Sequence, residues 1–381
     1  MKNRNFILQT TYYNYNYGSV LQCYATQQYF RNFGIECYLI CRKDNGWEKI
    51  KNGIKRKVQT NVRLMLYPEL KLKQKQLKES SLSSRQKISS TSKKCLDDFM
   101  LKEIKVITGS QKKLKHISQQ QQCILCVAGS DQIWNAVRVV LDDTYFLTFA
   151  PKYKRVAIAP SFGVDKLPNY NKQVYKKFLD GFSKLSVREK SGQKIIENLI
   201  GRSVDVFLDP VFLLSRKYWE IFSEKSSKIE IVDKYVFAFF LDEPNDEAIV
   251  HLQLLIKRGY KIFSIGYKHD RFSALLEINI LDGGPEDFVK LIKEAAIICT
   301  DSFHVTAISS IMRANFWVYK RSYLGNSQST RLIDYLERMK LQYRYNSMKI
   351  YFPELTEEEK QHITSEIEQN LKEFNRYIDL K

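Results

Sequence analysis

Short apolar runs alternate with helical patterns along most of the chain and predict a series of β-strands and α-helices. A short apolar run bounded by turn residues is typical of a buried strand, and apolar positions three and four residues apart indicate a helix. Strands that alternate with helices form parallel sheets, so we expect an α/β fold. The predicted strands lie at residues 6–8, 35–41, 123–128, 156–159, 185–187, 204–208, 235–240, 261–264, 295–299 and 316–319.

The α/β series starts again after residue 210, which predicts two domains. A chain of 381 residues is also longer than most single cores. We expect an N-terminal domain at 1–210, a C-terminal domain at 211–350, and a last helix within 351–381 that packs across the body. One stripe of that helix carries Ile363, Ile367, Leu371, Phe374 and Ile378.

A basic segment interrupts the series from about residue 42 to residue 118, and we interpret it as a helical insertion in the N-terminal domain. The chain carries a net charge of +19, and residues 42–115 contain 21 Lys or Arg against 7 Asp or Glu, a net of +14. Such a patch attracts polyanions or an anionic membrane surface, although a solvated helical face would have the same composition. Nucleic acid is disfavoured as a partner, because the segment has few aromatic side chains for base stacking.

The sequence disfavours a membrane-spanning protein, a secreted protein and a metal enzyme. It has no apolar stretch of about 18 residues, and its N-terminal apolar run is too short for a signal peptide, so we predict a cytoplasmic location. Cys123 and Cys126 are three residues apart on a predicted strand, which should direct them to opposite faces and prevent metal or redox pairing. We find no metal or nucleotide triphosphate motif and expect no cofactor.

A predicted strand, a small polar turn and a helix follow one another over residues 295–309. Open α/β sheets bind ligands at such junctions. Ser302 and His304 stand at the helix start, where backbone N–H groups favour an anion and an imidazole can exchange a proton near neutral pH. A histidine that only caps the helix would give the same pattern.

Other strand ends carry cations or small polar loops. Arg188 ends the strand at 185–187 and suits bidentate binding of phosphate or carboxylate. Gly18 follows the first strand and permits a close backbone approach. Together these groups suit a small, multiply charged anion that meets a sugar. The further candidates are Lys320, Arg321, Asn16, Tyr17, Ser130, Asp131 and Gln132.

Six segments stand in a characteristic order along the chain: Asn16–Gln22, Gly129–Asn135, Ser186–Gly192, Asp209–Phe212, Thr300–His304 and Asn326–Leu336. Together these matching segments resemble the polysaccharide pyruvyl transferase family. The resemblance implies two Rossmann-like domains in a GT-B-like arrangement, with the basic helical insertion in the first. It also implies transfer of the enolpyruvyl group of phosphoenolpyruvate, as donor substrate, onto two sugar hydroxyls, which gives a pyruvate ketal and phosphate.

The resemblance also implies roles for the candidate residues. Arg188 and His304 would be catalytic, Arg188 by binding the donor and His304 as general acid or donor-site cation, with Lys320 or Arg321 as a further cation. Many members carry an arginine where this chain has Ser302, so Arg321 or Arg331 would replace that contact. Asp131 would serve as a base or make a structural hydrogen bond. The implied acceptor-binding residues are Asn16, Tyr17, Gly18, Ser130, Asp131 and Gln132.

Two questions stay open at this point. A GT-B nucleotide-sugar glycosyltransferase of polysaccharide biosynthesis is the alternative function, although no acidic residue is clearly placed for a ribose in the C-terminal domain. The acceptor implied by the resemblance is a glycan or a polyprenyl-pyrophosphate-linked sugar. A basic insertion could hold the protein at the anionic inner face of a membrane, where such an acceptor would lie.

Overall fold

The chain divides into two compact units in the structure, which is a computed structural model. Unit 1 comprises residues 1–12, 26–81 and 104–210, and unit 2 comprises residues 13–25, 82–103 and 211–381. The described residues are 5–11, 15–72, 75, 88–226, 229–231, 233–275, 278–321, 330–347 and 352–379.

A parallel sheet forms the centre of unit 1. Among the described residues it has five strands in the order β3-β2-β1-β4-β5. This order is that of a Rossmann half, with the point of topological reversal between β1 and β4. The strands are β1 Phe6–Thr10, β2 Glu36–Arg42, β3 Val106–Gly109, β4 Cys123–Gly129 and β5 Arg155–Ile158, and a short parallel pair adds β6 Ser186–Val187 and β7 Asp205–Val206.

Helices and an aromatic core cover this sheet. Trp134 stacks on Phe146, and Tyr175 packs edge-on against the same ring. The helix Gln111–Gln119 begins at a capping residue, because the Ser110 side chain accepts a hydrogen bond from the Lys113 N–H. The helices that belong to unit 1 are α2 Gly46–Leu66, α4 Gln111–Gln119, α5 Asn169–Leu179 and α6 Lys190–Ile200, and α1 Tyr17–Arg31 contributes its last residues.

Unit 2 repeats the same topology. In the part of the chain that the structure describes, its sheet has five parallel strands in the order β10-β9-β8-β11-β12, so the reversal lies between β8 and β11. These strands are β8 Tyr235–Phe239, β9 Lys261–Ile265, β10 Ile278–Leu281, β11 Ile297–Thr300 and β12 Phe316–Val318. The helices are α3 Ser90–Glu103, α7 Arg216–Ser223, α8 Asp246–Lys257, α9 Pro285–Glu294, α10 Phe303–Met312, α11 Thr330–Arg338 and α12 Glu357–Ile378.

The predicted division of the chain lies at residue 210, where the last part of unit 1 also ends. Two earlier segments, however, belong to the other unit. Residues 13–25 and 82–103 belong with unit 2, whereas the sequence analysis placed them in the N-terminal domain. Packing explains the difference, because Tyr24 on α1 contacts Phe99 on α3 and Phe222 on α7. The periodicity of a helix shows that it has an apolar face but not which core that face joins.

The helical insertion is shorter than the predicted range of 42–118. Its last part is β3 followed by α4, a strand and helix of the sheet in unit 1. The four residues of β3 alternate between exposed and buried side chains, so this edge strand lacks the apolar run that marks the central strands. Residues 73–74 and 76–87 lie outside the described residues.

The predicted geometry of the close cysteine pair was wrong. Phe6 on β1 pairs with Cys123, but Ile7 pairs with Leu125, so Ile124 is an extra residue in β4. This bulge disturbs the alternation of side chains and brings the Sγ atoms of Cys123 and Cys126 within 3.8 Å of each other as free thiols. Their hydrogen bond lowers the pKa of Cys123 and raises the pKa of Cys126.

The C-terminal helix α12 packs within unit 2. Thr356 caps its first turn, and the side chains of Ile363, Phe374 and Ile378 are buried. Arg338 on α11 forms a salt bridge of 2.8 Å with Glu366 on α12. Across the described ranges, no helix has both the length and the apolar character needed to cross a membrane.

Candidate functional site

The junction of β11 and α10 lies beside the point of topological reversal in unit 2. The Thr300 hydroxyl donates to the carbonyl of Phe239 at the end of β8, over 2.6 Å, and accepts the Ser302 N–H over 3.0 Å. The Ser302 side chain in turn caps α10 by accepting the Val305 N–H. These bonds fix the turn that presents His304 from the first turn of α10.

The imidazole of His304 lies against the backbone of Gly18. A Cβ atom added to Gly18 would stand 2.2 Å from Nδ1 of His304 and 2.6 Å from its Cβ, so only glycine fits there. Gly18 belongs to the first turn of α1, and Asn16 caps this turn by accepting the Ser19 N–H over 3.2 Å. Two helix N-termini therefore meet at one buried imidazole, and both carry a partial positive charge.

A buried ion cluster supports the same junction. The carboxylate of Asp301 accepts the N–H groups of Leu241 and Asp242 over 2.7 and 3.1 Å. Arg321 binds the Asp242 carboxylate with two hydrogen bonds and lies 3.7 Å from Asp301. Burial raises the pKa of Asp301 to about 7, against the opposing effect of Arg321.

The other candidates in unit 2 differ in exposure. Lys320 is exposed at the end of β12, whereas Arg331 is buried in the first turn of α11. Tyr17 is fully buried, stacks on Phe288 with ring centroids 4.7 Å apart and donates its hydroxyl to the Gly283 carbonyl over 2.8 Å. These contacts give Tyr17 a packing role. Residues 326–329 of the last matching segment lie outside the described residues.

A second cluster stands at the strand ends of unit 1. Arg188 follows β6, its side chain is 1% exposed, and its guanidinium lies 2.5 Å from Oδ2 of Asp209 and 3.7 Å from Oδ1 of Asp131. Burial lowers the pKa of Arg188, but the two carboxylates outweigh this effect and raise it. The Ser130 hydroxyl lies 2.8 Å from the Ala159 carbonyl and 3.1 Å from Asp209. The cluster therefore fixes the loop after β4.

Backbone conformation also marks this loop. Asp131 has a φ of 59°, in the region that glycine favours, and such strain costs about 1–3 kcal/mol. Gln132 accepts a hydrogen bond from the Asn135 amide over 2.7 Å, and its side chain packs near Gly163. Strained residues that are held by their surroundings concentrate at functional sites. The loop Ser130–Gln132 is therefore the best candidate for ligand contact in unit 1.

The two carboxylates beside Arg188 limit its capacity to bind an anionic ligand. One guanidinium is shared by two carboxylates, so this cluster is not a ready cationic site for a phosphate. The geometry instead indicates that Arg188 holds the partly exposed Asp131. The predicted site residues did not include Asp209, Asp242 or Asp301. Each of these aspartates follows a predicted strand, and this position is the signal in the sequence that could have identified it.

Neither a metal centre nor a cavity beside α2 and α5 changes this choice of site. Within the described residues, no three His, Cys, Asp or Glu side chains are grouped to hold a metal ion. A cavity of about 730 Å³ in unit 1 is lined by residues of α2 and α5, among them Lys55, Arg56 and Lys177, and by none of the predicted site residues.

Comparisons with known proteins give a matching family and structures of similar fold. The family model described as "Polysaccharide pyruvyl transferase" matches residues 16–323. A crystal structure of UDP-N-acetylglucosamine 2-epimerase is 8% identical with a TM-score of 0.51, and the match covers 100% of this chain and 98% of that one. The UDP-GlcNAc 2-epimerase of Neisseria meningitidis is 10% identical with a TM-score of 0.49, over 98% and 93% of the two chains. No curated protein matches.

At these identities the likeness to the epimerase shows the fold alone. Together with the two sheets of order 3-2-1-4-5, it confirms the expected fold class, α/β with two Rossmann-like domains of the GT-B type.

The contact between Gly18 and His304 predicts a strong energetic coupling. Gly18→Ala should lower the free energy of unfolding by about 1–3 kcal/mol, because the added Cβ displaces the imidazole. In a His304→Ala background the same change should cost far less. Urea unfolding of the four proteins measures the coupling. Gly53→Ala, in a helix with open space around it, is the control, and equal costs in both backgrounds would contradict the contact.

The ion cluster of unit 1 predicts a large loss of stability when its arginine is replaced by a neutral residue. Arg188→Ala should cost about 3–5 kcal/mol of unfolding free energy, because it leaves Asp209 buried without its guanidinium. Arg216→Ala is the control, since its pair with Glu220 is exposed and is worth less than about 1 kcal/mol. Denaturant unfolding compares both variants with the wild type, and a similar small cost for both would refute a structural role of Arg188.

The raised pKa of Asp301 predicts a pH-dependent stability. A carboxyl with a higher pKa in the folded chain stabilises the fold at low pH, and this contribution is lost as the pH rises through about 7. From pH 5 to pH 8 the wild type should lose about 3 kcal/mol relative to Asp301→Asn. Urea unfolding at both values tests this, with the exposed Asp233→Asn as control. Parallel pH profiles of wild type and Asp301→Asn would show that the carboxyl does not titrate in this window.

Proposed function

The chain belongs to the polysaccharide pyruvyl transferase family, and we propose that it transfers the enolpyruvyl group of phosphoenolpyruvate onto two hydroxyls of one sugar. The product is a cyclic pyruvate ketal, and phosphate is released. The observation that carries this proposal is the imidazole of His304 at the meeting point of two helix N-termini. This arrangement offers an anion site and a proton donor in one place.

The reaction requires one proton donor and one leaving group. The methylene carbon of the donor gains a proton while the first sugar hydroxyl forms a bond to the neighbouring carbon. The bond from that carbon to the phosphate oxygen then breaks, and the second hydroxyl forms the other ketal bond. The first hydroxyl proton replaces the one that the acid gave, and the second leaves with phosphate, so the atoms balance.

His304 fits the role of the general acid in this scheme. Its ring lies at the N-terminal turns of α1 and α10, whose backbone N–H groups favour a bound anion. A phosphate bound there would lie beside the group that donates the proton.

The remaining assignments follow from the family likeness and are part of the proposal. Lys320, exposed at the end of β12, is the candidate for a further donor-binding cation, while Arg321 is held by Asp242. Asp131 is the candidate base for an acceptor hydroxyl, and Arg188 positions it. A direct contact of Arg188 with the donor stays a prediction of the likeness.

The acceptor that we propose is a sugar of a bacterial surface polysaccharide precursor carried on a polyprenyl pyrophosphate. Such a precursor lies at the inner face of the membrane. The enzyme would then work in the cytoplasm as a peripheral protein at that face. The strong positive charge of residues 42–115 supports this location.

Donor binding and turnover test the proposal. Phosphoenolpyruvate should raise the melting temperature of the wild type, and phosphate release should increase when a suitable sugar from a panel is added. His304→Ala and His304→Gln should each lower kcat by about 10²–10⁴, because neither variant can donate a proton. His116→Ala, an exposed histidine on α4, is the control.

Two results would contradict the proposal. A folded His304→Gln protein with wild-type turnover would remove His304 from the reaction. A melting temperature that rises with a nucleoside diphosphate, and not with phosphoenolpyruvate, would instead favour a nucleotide-sugar glycosyltransferase.

A further inference from the structure

Helix α2 (Gly46–Leu66) exposes its apolar side chains. None of its residues is buried, and Trp47 and Met65 are 84% and 83% exposed. At 100° per residue the large apolar side chains fall on one stripe along the whole helix. The members of this apolar stripe are Trp47, Ile50, Ile54, Val58, Val62 and Met65, each at least half exposed.

The opposite side of α2 holds the helix to unit 1. The Arg63 guanidinium donates to the carbonyls of Val139 and Tyr170, and it donates to Oδ1 of Asn171 over 2.7 Å. The Asn52 amide donates to the Asp44 carboxylate over 2.8 Å. Polar groups and the partly buried Leu64, which packs against Val139 and Tyr170, therefore face the protein, and the apolar stripe faces outward.

The positive charge of α2 indicates which kind of partner surface would cover the apolar stripe. Helix α2 carries six basic residues; Arg63 is bound to unit 1, and the other five stand against one acidic residue, Glu48, a net of +4. Two copies of this helix packed face to face would bring like charges together. An anionic lipid surface complements the charge and also removes the stripe from water, as for helices that lie in the membrane interface. The six basic residues are Lys49, Lys51, Lys55, Arg56, Lys57 and Arg63.

We propose that α2 lies in the interface of an anionic lipid bilayer, with the apolar stripe among the acyl chains and the lysines at the headgroups. This inference deepens the proposed function, because a polyprenyl-linked acceptor is confined to a membrane. Its test needs neither donor nor acceptor. A failure of membrane binding would therefore leave the pyruvyl transfer untouched, and a failure of pyruvyl transfer would leave the membrane binding untouched.

Tryptophan fluorescence can report on α2 alone. Trp134, Trp219 and Trp317 are buried, so Trp47 is the tryptophan whose surroundings should change at a membrane. Vesicles of phosphatidylcholine with about a third phosphatidylglycerol should shift the emission of the full chain to shorter wavelength. The shift should vanish in Trp47→Phe, which should still co-sediment with the vesicles.

Co-sedimentation with the same vesicles tests the apolar stripe and the lysines of α2 separately. The variant Trp47→Ser/Ile54→Ser/Met65→Ser should bind at least about tenfold more weakly, and so should Lys51→Gln/Lys55→Gln/Lys57→Gln. Neutral phosphatidylcholine vesicles should bind the wild type weakly. The matched controls change exposed residues outside α2: Leu101→Ser/Ile221→Ser/Val250→Ser and Lys217→Gln/Lys257→Gln/Lys372→Gln.

Three outcomes would overturn the inference. The wild type could fail to co-sediment with anionic vesicles, or the α2 variants could bind as tightly as their controls. Analytical ultracentrifugation could also show a dimer that the serine variant of α2 abolishes, which would assign the stripe to a second copy of the chain. All α2 variants should keep the wild-type melting temperature, because the side chains changed are exposed.

Discussion

The imidazole of His304 occupies the space that a side chain at position 18 would need. This contact ties the first turn of α1 to the first turn of α10, and Tyr17 supports it by stacking on Phe288. It explains why residues 13–25 group with unit 2, although β1 just before them belongs to unit 1. The local requirement for glycine thus follows from tertiary packing and not only from a tight turn.

Both units hold one arginine between two carboxylates at strand ends. Arg188 is shared by Asp131 and Asp209 in unit 1, and Arg321 by Asp242 and Asp301 in unit 2. One cation cannot neutralise two buried anions, and the excess charge must be accommodated. In unit 2 burial raises the pKa of Asp301, Arg321 opposes this and Asp242 adds to it, and in unit 1 Asp131 keeps partial exposure. Strand ends of parallel sheets gather such groups because they converge at one edge.

The sequence predicted the central strands because their apolar runs are continuous. It did not predict β3, because this strand has only four residues and every second side chain is exposed, so it has no continuous apolar run. It also did not predict that Ile124 is an extra residue in β4, because only the pairing of the strands shows this. It selected His304 and Ser130–Gln132 from their positions after strands. It could not show that Tyr17 is a packing residue or that Arg188 is held by carboxylates, because both facts depend on residues far away in the chain.

Contacts with distant residues also decide which face of α2 is exposed, and the sequence alone could not show this. Composition shows that residues 42–115 are basic, and the spacing of Ile50, Ile54 and Val58 shows an apolar stripe, but neither shows which side faces the protein. Arg63 decides this, since its guanidinium is bound to carbonyls of unit 1 and forces the stripe outward. A partly buried polar anchor therefore sets the direction of an apolar surface, and the charges of the helix determine which surface it can meet.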